Sequence, residues 1–224
     1  MQAIRRLDGF LLLAVVLSLV AVAPLLTPGY FWGAHDARHS VYFLFEFDRS
    51  IQDGILYPRW SPDFNFGYGY PFFNIYSPGV FYLGEALHLA GLNFVDAVKG
   101  VFALSFLLSA LSMYVYAHRV LDNRVAALVA SVVYVYVPYH LADVFLRGAL
   151  ADSFCFALFP LVLWSFHDLI ERPRWRALIV AGATLAGLMF THYTLALLFL
   201  PFLGVYGLAV CFFVARDGHV VASE

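Results

Sequence analysis

Two histidines flank an acid in the stretch "HDARH", which runs from His35 to His39. The spacing is that of H-E-x-x-H, a helical motif whose histidines bind zinc and whose glutamate acts as a general base. Asp36 stands in the place of that glutamate and is one methylene shorter, so it would reach a metal-bound water poorly. The alternative is acid–base work by Asp36 at a membrane surface, with both histidines as neighbours.

Residues of the types used in group transfer recur farther along the chain. They are Arg59, Trp60, Tyr68, Tyr70, Tyr139, His140, Arg147, Asp152 and His192. The planar fork of an arginine pairs with phosphate oxygens, and a carboxylate near reacting atoms moves protons. These residues act together only if the fold brings distant parts of the chain to one place.

The composition indicates that lipid is the solvent for much of the chain. Of 224 residues, 62% are hydrophobic and 12% are charged, and the mean hydropathy is +0.80. A soluble domain carries about 25% charged residues. The net charge of -2 argues against a nucleic-acid partner. Cys155 and Cys211 both lie in apolar runs, which is typical of core residues rather than of a disulfide or metal pair.

Six apolar runs are long enough to cross a bilayer when tilt is allowed for. They are 9–27, 98–117, 125–139, 153–170, 177–191 and 194–215. The "AVA" at 21–23 fits a signal-peptide cleavage site, but the run continues past Pro24, which favours an uncleaved signal anchor. Glycines and polar residues interrupt the run 78–92, so we expect a helix at the interface there.

The distribution of arginines predicts the orientation. With the N-terminus in the cytoplasm, the short loops 118–124 and 171–176 are also cytoplasmic, and both are rich in arginine. The loop 28–97 then lies outside, together with the turns at 139–152 and 191–193, so every polar candidate falls on one side. Within this loop a helix is predicted up to about Asp53, with a polar face (His35, His39, Glu46, Arg49, Asp53) and an apolar face (Val41, Leu44, Phe45, Ile51).

Three stretches carry a resemblance to a known family. They are "AHDARH…ILYPRWSPDFNFGYGYPFFNIYSPGVFY", "VPYHLADVFLRGALAD" and "THYTLALL". The chain resembles, over nearly all its length, a family of bacterial polytopic membrane proteins labelled "6-pyruvoyl-tetrahydropterin synthase-related". The label implies no pterin chemistry, because nothing here resembles the soluble zinc enzyme. That family is in turn similar to the GT-C superfamily of integral-membrane glycosyltransferases.

The resemblance implies a fold and two acids. It implies an all-α, polytopic integral membrane protein in a single transmembrane domain over 1–224, with a structured outer loop at 28–97 that carries amphipathic surface helices. Residue by residue, Asp36 matches the early acid of the GT-C outer loop, and Asp152 is a candidate for a second acid in a later loop. Members of the family are usually longer, so we expect the N-terminal part of a longer protein.

The resemblance also implies a reaction. The expected enzyme is a hexosyl or pentosyl transferase of the bacterial cytoplasmic (inner) membrane. It moves a sugar from a polyprenyl-phosphate-linked donor in the lipid bilayer to a glycan, lipid or protein acceptor at the outer face. Asp36 would be the general base, and Asp152 would orient the acceptor or, with Asp36, hold a divalent cation such as Mg²⁺ or Mn²⁺. The residues expected to contact substrate are His35, His39, Arg59, Trp60, Tyr68, Tyr70, Tyr139, His140, Arg147 and His192.

Other interpretations of the same residues stay open. A zinc protease would take its third ligand from His140, Asp152 or His192. A transporter would place its polar residues near the midplane of the membrane, and a non-catalytic membrane subunit would need no site. Each candidate also has a structural explanation: the acids as helix caps, Arg147 as a snorkelling or ion-paired side chain, and the aromatic residues as an interfacial belt.

Overall fold

A computed structural model describes residues 8–221 of the chain, with side chains described up to residue 214, and within this part it contains helices and no strands. The helices are α1 (Gly9–Val22), α2 (Ala37–Gln52), α3 (Phe72–Ile75), α4 (Gly79–Leu89), α5 (Phe94–Leu121), α6 (Arg124–Tyr136), α7 (Pro138–Ala142), α8 (Leu150–Glu171), α9 (Trp175–Thr191) and α10 (Tyr193–Val221). A 3-10 turn (Ala23–Leu26) extends α1, and a π turn (Asp143–Arg147) follows α7. Arg5 and Arg6, which precede the first apolar run and favour a cytoplasmic N-terminus, lie outside the described residues.

Five segments are long and apolar enough to cross a membrane, namely Gly9–Leu26, Phe94–Leu121, Arg124–Arg147, Leu150–Glu171 and Tyr193–Val214. The prediction of an all-α polytopic membrane protein is thereby confirmed. The sixth predicted span corresponds to α9, a shorter apolar helix of 17 residues. It lies antiparallel along α8, because His192 contacts Asp152 at one end (2.9 Å) and Arg174 contacts Asp168 at the other (2.9 Å). Whether α9 spans the membrane stays a prediction.

Local sequence signals set the ends of the central helix α5. The Asn93 side chain accepts a hydrogen bond from the Asp96 N–H (2.9 Å) and caps the start of the helix. At the other end Asp122 adopts a left-handed conformation (φ +46°), and Asn123 then caps α6 through the Ala126 N–H (3.0 Å). The chain therefore reverses within two residues, and α6 packs back along α5.

Helix α5 is the centre of the bundle and contacts α1, α2, α4, α6 and α8. Its Phe102 and Phe106 are fully buried in the main hydrophobic cluster. Helices α9 and α10 pack on α8 at the periphery, and α10 exposes most of its large apolar side chains. Such an apolar outer surface is expected where lipid replaces water as the solvent.

The segment 28–97 folds as a layer on one end of this bundle. Helices α2 and α4 contact each other and α5, with Leu44, Phe47 and Phe81 completely or almost completely buried. Helix α4 has 11 residues, about 17 Å at the usual rise. It is therefore shorter than the hydrocarbon core of a bilayer, and the interfacial position of 78–92 stays a prediction.

The predicted faces of α2 were partly wrong. Glu46, which we expected on the polar face, is 2% exposed, whereas Phe45 from the predicted apolar face is 41% exposed. The reason is that a hairpin formed by residues 57–70 covers the side of α2 that carries Glu46. The Asp63 side chain pairs with Arg49 one turn farther along the helix, and the Asp63 N–H approaches Glu46 Oε2 (3.5 Å). Burial consequently raises the pKa of Glu46.

Candidate functional site

The start of α2 is attached directly to the turn that precedes α8. The N–H groups of His35 and Asp36 donate to the carbonyl oxygens of Leu146 (3.2 Å) and Arg147 (2.6 Å). Gly148 permits this contact: it has a positive φ of +66°, and an added Cβ would lie 2.6 Å from the backbone nitrogen of Ala37. Two stretches that are far apart in the sequence, "HDARH" and "FLRGALAD", thus form one local structure.

Residue Arg147 is the centre of a polar group that we call the Arg147 cluster, which consists of Tyr139, Asp143, Arg147, Asp152 and His192. The guanidinium forms an ion pair with Asp143, lies 2.9 Å from Asp152 Oδ2 through Nη2, and donates to the Tyr139 hydroxyl (3.2 Å). His192 Nε2 lies 2.9 Å from the other oxygen of Asp152. The cluster therefore joins the π turn, the first turn of α8 and the residue that links α9 to α10.

Asp143 belongs to this cluster but is not among the site residues predicted from the sequence. Its side chain is 1% exposed, and Oδ2 has no hydrogen-bond partner within the described part of the chain. The sequence signal was present, because Asp143 and Arg147 are four residues apart and a single helical turn brings such residues together. The π turn preserves this proximity. The buried Asp143 carboxylate therefore pairs with the inward side of the partly exposed Arg147 guanidinium.

Tyr76, a second residue that the sequence did not predict in the site, approaches it from the 28–97 layer. Its ring lies 6.2 Å from that of His192. Burial raises the pKa of the Tyr76 hydroxyl, and the negative charges of Asp152 and Asp36 raise the pKa further. In the sequence Tyr76 stands within a run of aromatic residues, which is equally typical of an interfacial belt.

The neighbouring Ser77 fastens this layer to the bundle. Its hydroxyl donates to the Met189 carbonyl (3.2 Å) and accepts from the Tyr193 N–H (3.1 Å), on either side of the junction between α9 and α10. A cavity of about 180 Å³ lies at this junction, lined by Ile75, Tyr76, Ser77, Thr191, His192, Tyr193 and Thr194. His192 therefore faces a small open space on one side and Asp152 on the other.

Asp36 differs from the other acids because its carboxylate is not engaged. It occupies the N-cap position of α2, yet its side chain accepts no capping hydrogen bond. Its side chain is 55% exposed, and the nearest charged partner in the described chain, His39 Nδ1, is 3.7 Å away, beyond hydrogen-bond distance. Helix capping does not explain this carboxylate, whose lone pairs remain accessible.

The zinc interpretation of "HDARH" loses its geometric basis. His35 lies in the turn before α2, which begins at Ala37, so the two histidines do not face one way from a helix. Within residues 8–214 no group of three or more His, Cys, Asp or Glu side chains is placed to hold a metal ion. Both oxygens of Asp152 are already engaged by Arg147 and His192. These residues fit neither a zinc site nor the expected Mg²⁺ or Mn²⁺ site.

Four predicted substrate contacts lie on the hairpin instead. Arg59, Trp60, Tyr68 and Tyr70 flank a bridge between Ser61 and Tyr70 (2.8 and 3.0 Å). Arg59 stacks on the Tyr57 ring (5.7 Å), and the Trp60 ring covers Gly69. No hydrogen bond, ion pair or ring contact of the described chain joins these four residues to Asp36 or to the Arg147 cluster. The hairpin contacts the last turn of α2, through Asp63 and Arg49.

Between the hairpin and α2 lies a cavity of about 430 Å³. It is lined by His39, Tyr42, Phe43, Phe45, Glu46, Asp63, Phe64 and Asn65. His39 links this cavity to Asp36, which is one helical turn away. The hairpin therefore contributes to an aromatic cavity beside the free carboxylate.

His140 is separated from the site by its burial. Its side chain is fully buried, stacks on the Phe156 ring (4.1 Å between ring centres) and packs against the tilted Phe106 ring (4.7 Å). Neither ring nitrogen has a hydrogen-bond partner among the described residues. The prediction that His140 contacts substrate gains no support from this position, which is that of a core residue.

Comparison with known proteins gives a family. The model of the "6-pyruvoyl-tetrahydropterin synthase related domain; membrane protein" matches residues 73–223, a region that contains Tyr76 and the whole Arg147 cluster. No curated protein and no solved structure matches the chain. Since the match covers well over half of the sequence, and the fold is that of a polytopic membrane protein, the chain belongs to the 6-pyruvoyl-tetrahydropterin synthase-related family of membrane proteins.

Proposed function

We propose that this protein is a GT-C-like membrane glycosyltransferase, which transfers a sugar from a polyprenyl-phosphate-linked donor to an acceptor hydroxyl. The observation that carries the proposal is the pairing of a free carboxylate with a fixed guanidinium. Asp36 has accessible oxygens, and its own N–H is bonded to the carbonyl of Arg147, the residue that two further carboxylates hold in place. Both groups lie at one end of a bundle whose helices expose large apolar side chains along their sides.

The reaction needs a base on one side of the sugar and a cation on the other. Asp36 takes the proton of the acceptor hydroxyl while the acceptor oxygen bonds to the anomeric carbon. The bond from that carbon to the phosphate oxygen breaks, and the polyprenyl phosphate leaves with one more negative charge than the donor phosphate carried. A guanidinium stabilises that charge through its planar fork. Arg147 supplies this guanidinium, whereas Arg59 belongs to the hairpin and would contact a longer acceptor.

The acids around Arg147 act on both the guanidinium and the sugar. Asp143 and Asp152 keep the guanidinium in one orientation, so no reorganisation is needed when the phosphate charge develops. Positive charge that accumulates on the anomeric carbon is stabilised by nearby carboxylates, as in glycoside hydrolysis. His192 holds Asp152 from the side of the small cavity, which is where we place the leaving phosphate.

The acceptor fits the larger cavity between α2 and the hairpin. Its walls combine aromatic rings with the polar side chains His39, Asp63 and Asn65, a composition suited to a sugar that has apolar faces and hydroxyl edges. Trp60, Tyr68 and Tyr70 lie beyond this cavity on the hairpin, where they would contact a longer acceptor. The location supports a transferase over a transporter, whose polar residues would lie near the midplane.

The orientation belongs to the same proposal. With the N-terminus in the cytoplasm, the Arg147 cluster faces the outside of the bacterial inner membrane, and the Arg-rich connections face the cytoplasm. A lipid-linked donor presents its phosphate at this surface without leaving the bilayer.

The decisive experiment measures release of polyprenyl phosphate, because this product does not depend on which acceptor is used. The protein in nanodiscs is incubated with a panel of polyprenyl-phosphate hexoses and pentoses and with extracted envelope glycans. Asp36→Asn should lower the rate by about 10²–10⁴ while polyprenyl phosphate still binds in native mass spectrometry. Asp53→Asn, which changes an exposed acid at the other end of α2, is the control and should retain the wild-type rate.

Binding of the donor is tested separately through Arg147. Arg147→Lys keeps a positive charge between the two carboxylates and loses the fork, so the affinity for polyprenyl phosphate should fall while the fold persists. The proposal is refuted if the wild-type protein neither binds polyprenyl phosphate nor releases it from any donor of the panel. Equal rates for wild type and Asp36→Asn would remove Asp36 from the role of base.

A further inference from the structure

A third cavity, of about 710 Å³, lies at the opposite end of the bundle from Asp36. We call it the basic cavity. Its lining residues are His118, Arg119, Asp122, Trp164, Ser165, Asp168, Arg172, Arg174, Arg176, Ala177 and Val180. They come from the end of α5, the last part of α8 and the start of α9. Neither the family match nor the proposed transferase reaction assigns a role to this cavity.

Two of its four arginines are already neutralised by acids. Arg119 forms an ion pair with Glu171, and Arg174 lies 2.9 Å from Asp168. Arg172 and Arg176 have no carboxylate within 4.0 Å among the described residues, and the Arg176 guanidinium lies over the Trp175 ring at 5.3 Å. The remaining acid of the lining is Asp122, which is exposed at the left-handed end of α5. The cavity therefore keeps a net positive charge, and His118 adds to it when protonated.

The cavity also has an apolar side that continues onto the surface of α9. Ala177 and Val180 line it, and the next positions along the helix, Leu178 and Ile179, are exposed apolar side chains. Trp175 is exposed at the start of the same helix, a position typical of aromatic residues at a membrane interface. A ligand that fits must combine an anionic head with an apolar tail, or must be the anionic head alone.

From this arrangement we propose that the basic cavity binds the phosphate of an anionic phospholipid headgroup. Arg172 and Arg176 pair with the phosphate oxygens, and the acyl chains lie along the exposed apolar surface of α9. Basic pockets between membrane-spanning helices bind anionic lipid heads in this manner. A soluble phosphate ester offers the same head chemistry without the chains, so the experiment has to separate the two sources. The proposal is independent of the transferase reaction.

The test is native mass spectrometry of the full chain in a neutral detergent, titrated with dioleoylphosphatidylglycerol. Dioleoylphosphatidylcholine serves as the zwitterionic comparison, and inorganic phosphate as the soluble competitor. Each arginine near an anionic lipid contributes about a fivefold gain in affinity, so Arg172→Ala with Arg176→Ala should weaken phosphatidylglycerol binding about thirtyfold. The matched control is Arg124→Ala, which changes an exposed arginine that pairs with Asp8 outside the basic cavity and should leave binding unchanged.

Each outcome bears on the proposal. Phosphatidylglycerol binding that exceeds phosphatidylcholine binding and is lost only in the double variant supports a lipid site. Displacement by millimolar inorganic phosphate, with the phosphate ion itself retained, assigns the same arginines to a soluble phosphate. Equal adducts for both lipids, or unchanged phosphatidylglycerol binding in the double variant, refutes the proposal. Arg172→Lys with Arg176→Lys keeps the charge and should retain most of the affinity, which distinguishes a lost phosphate contact from a misfolded protein.

Discussion

Replacement of Gly148 by alanine should separate the two halves of the candidate site. An added Cβ would lie 2.6 Å from the Ala37 nitrogen and 2.7 Å from its Cα, where ordinary contacts begin at 3.4 Å. The start of α2 must therefore move by about 0.8 Å to accommodate the methyl group. The two backbone hydrogen bonds across this contact, now 3.2 and 2.6 Å, would lengthen to or beyond the limit for such bonds.

The expected cost has two parts. A left-handed conformation costs a non-glycine residue about 1–2 kcal/mol relative to glycine. The loss of two hydrogen bonds adds about 2 kcal/mol, since each contributes about 1 kcal/mol net. Only the second part is specific to the contact with α2. A cost of about 2 kcal/mol corresponds to an approximately thirtyfold increase in the equilibrium constant for local opening of that contact.

Hydrogen–deuterium exchange of a peptide that contains His35 and Asp36 measures this opening directly. The two amides should exchange about thirtyfold faster in Gly148→Ala than in the wild-type protein. The control is Gly54→Ala, because Gly54 also has a positive φ (+83°) and follows α2, but an added Cβ there has no atom within 4 Å. Unchanged exchange at 35–36 in Gly148→Ala, or an equal increase in Gly54→Ala, would refute the argument that Gly148 holds Asp36 beside Arg147.

Three further substitutions test the layer and the bundle. Burial, and then the negative charge of Asp48, raise the pKa of Glu85 in α4. The contribution of Glu85 to stability is therefore present at low pH. It is lost as the pH rises from the pKa of the unfolded state, about 4.3, through the raised pKa of the folded state. Glu85→Gln should therefore abolish this loss in thermal unfolding measured across that pH range, and a persistent pH dependence would assign it to another group. Ser77→Ala should lower the stability by about 1–2 kcal/mol, because it breaks both hydrogen bonds at the α9–α10 junction; an unchanged Tm would contradict this. Ser131→Ala removes a hydrogen bond to the Ala110 carbonyl (2.7 Å) inside the bundle. It should lower the free energy of unfolding by only about 0.6 kcal/mol, the average for hydrogen bonds between helices in membranes. A loss of several kcal/mol would show that Ser131 does more than form this bond.

The membrane-spanning helices were predictable because a run of apolar residues along the chain is sufficient to identify them. A long run of apolar residues has few alternatives to a helix when every backbone group must be paired internally. The short predicted run 125–139 shows the limit of this reasoning. Pro138 ends α6 after Val137, and the chain continues through α7 and the π turn to Arg147, so one apolar segment contains three helical pieces.

The faces of α2 were less predictable, because its environment is set by other parts of the chain. A helical wheel assumes one buried side, and α2 is covered on one side by α4 and α5 and on another by the hairpin. Glu46 is therefore buried while Phe45 is exposed. The covering depends on the ion pair between Arg49 and Asp63, which are 14 residues apart and lie in different elements. No periodicity within α2 contains that information.

The sequence identified acids of the right type, but it could not assign different roles to Asp36 and Asp152. Both stand at the start of a helix and both were candidates for capping or catalysis. The fold separates them: Asp152 has an arginine on one oxygen and a histidine on the other, whereas Asp36 has only His39 at 3.7 Å, beyond hydrogen-bond distance, and is open to solvent. A carboxylate engaged by two partners is suited to hold neighbouring groups in place, and a free one is suited to accept a proton. The difference arises from long-range contacts at Gly148 and His192, which is why it becomes visible only when the helices are assembled.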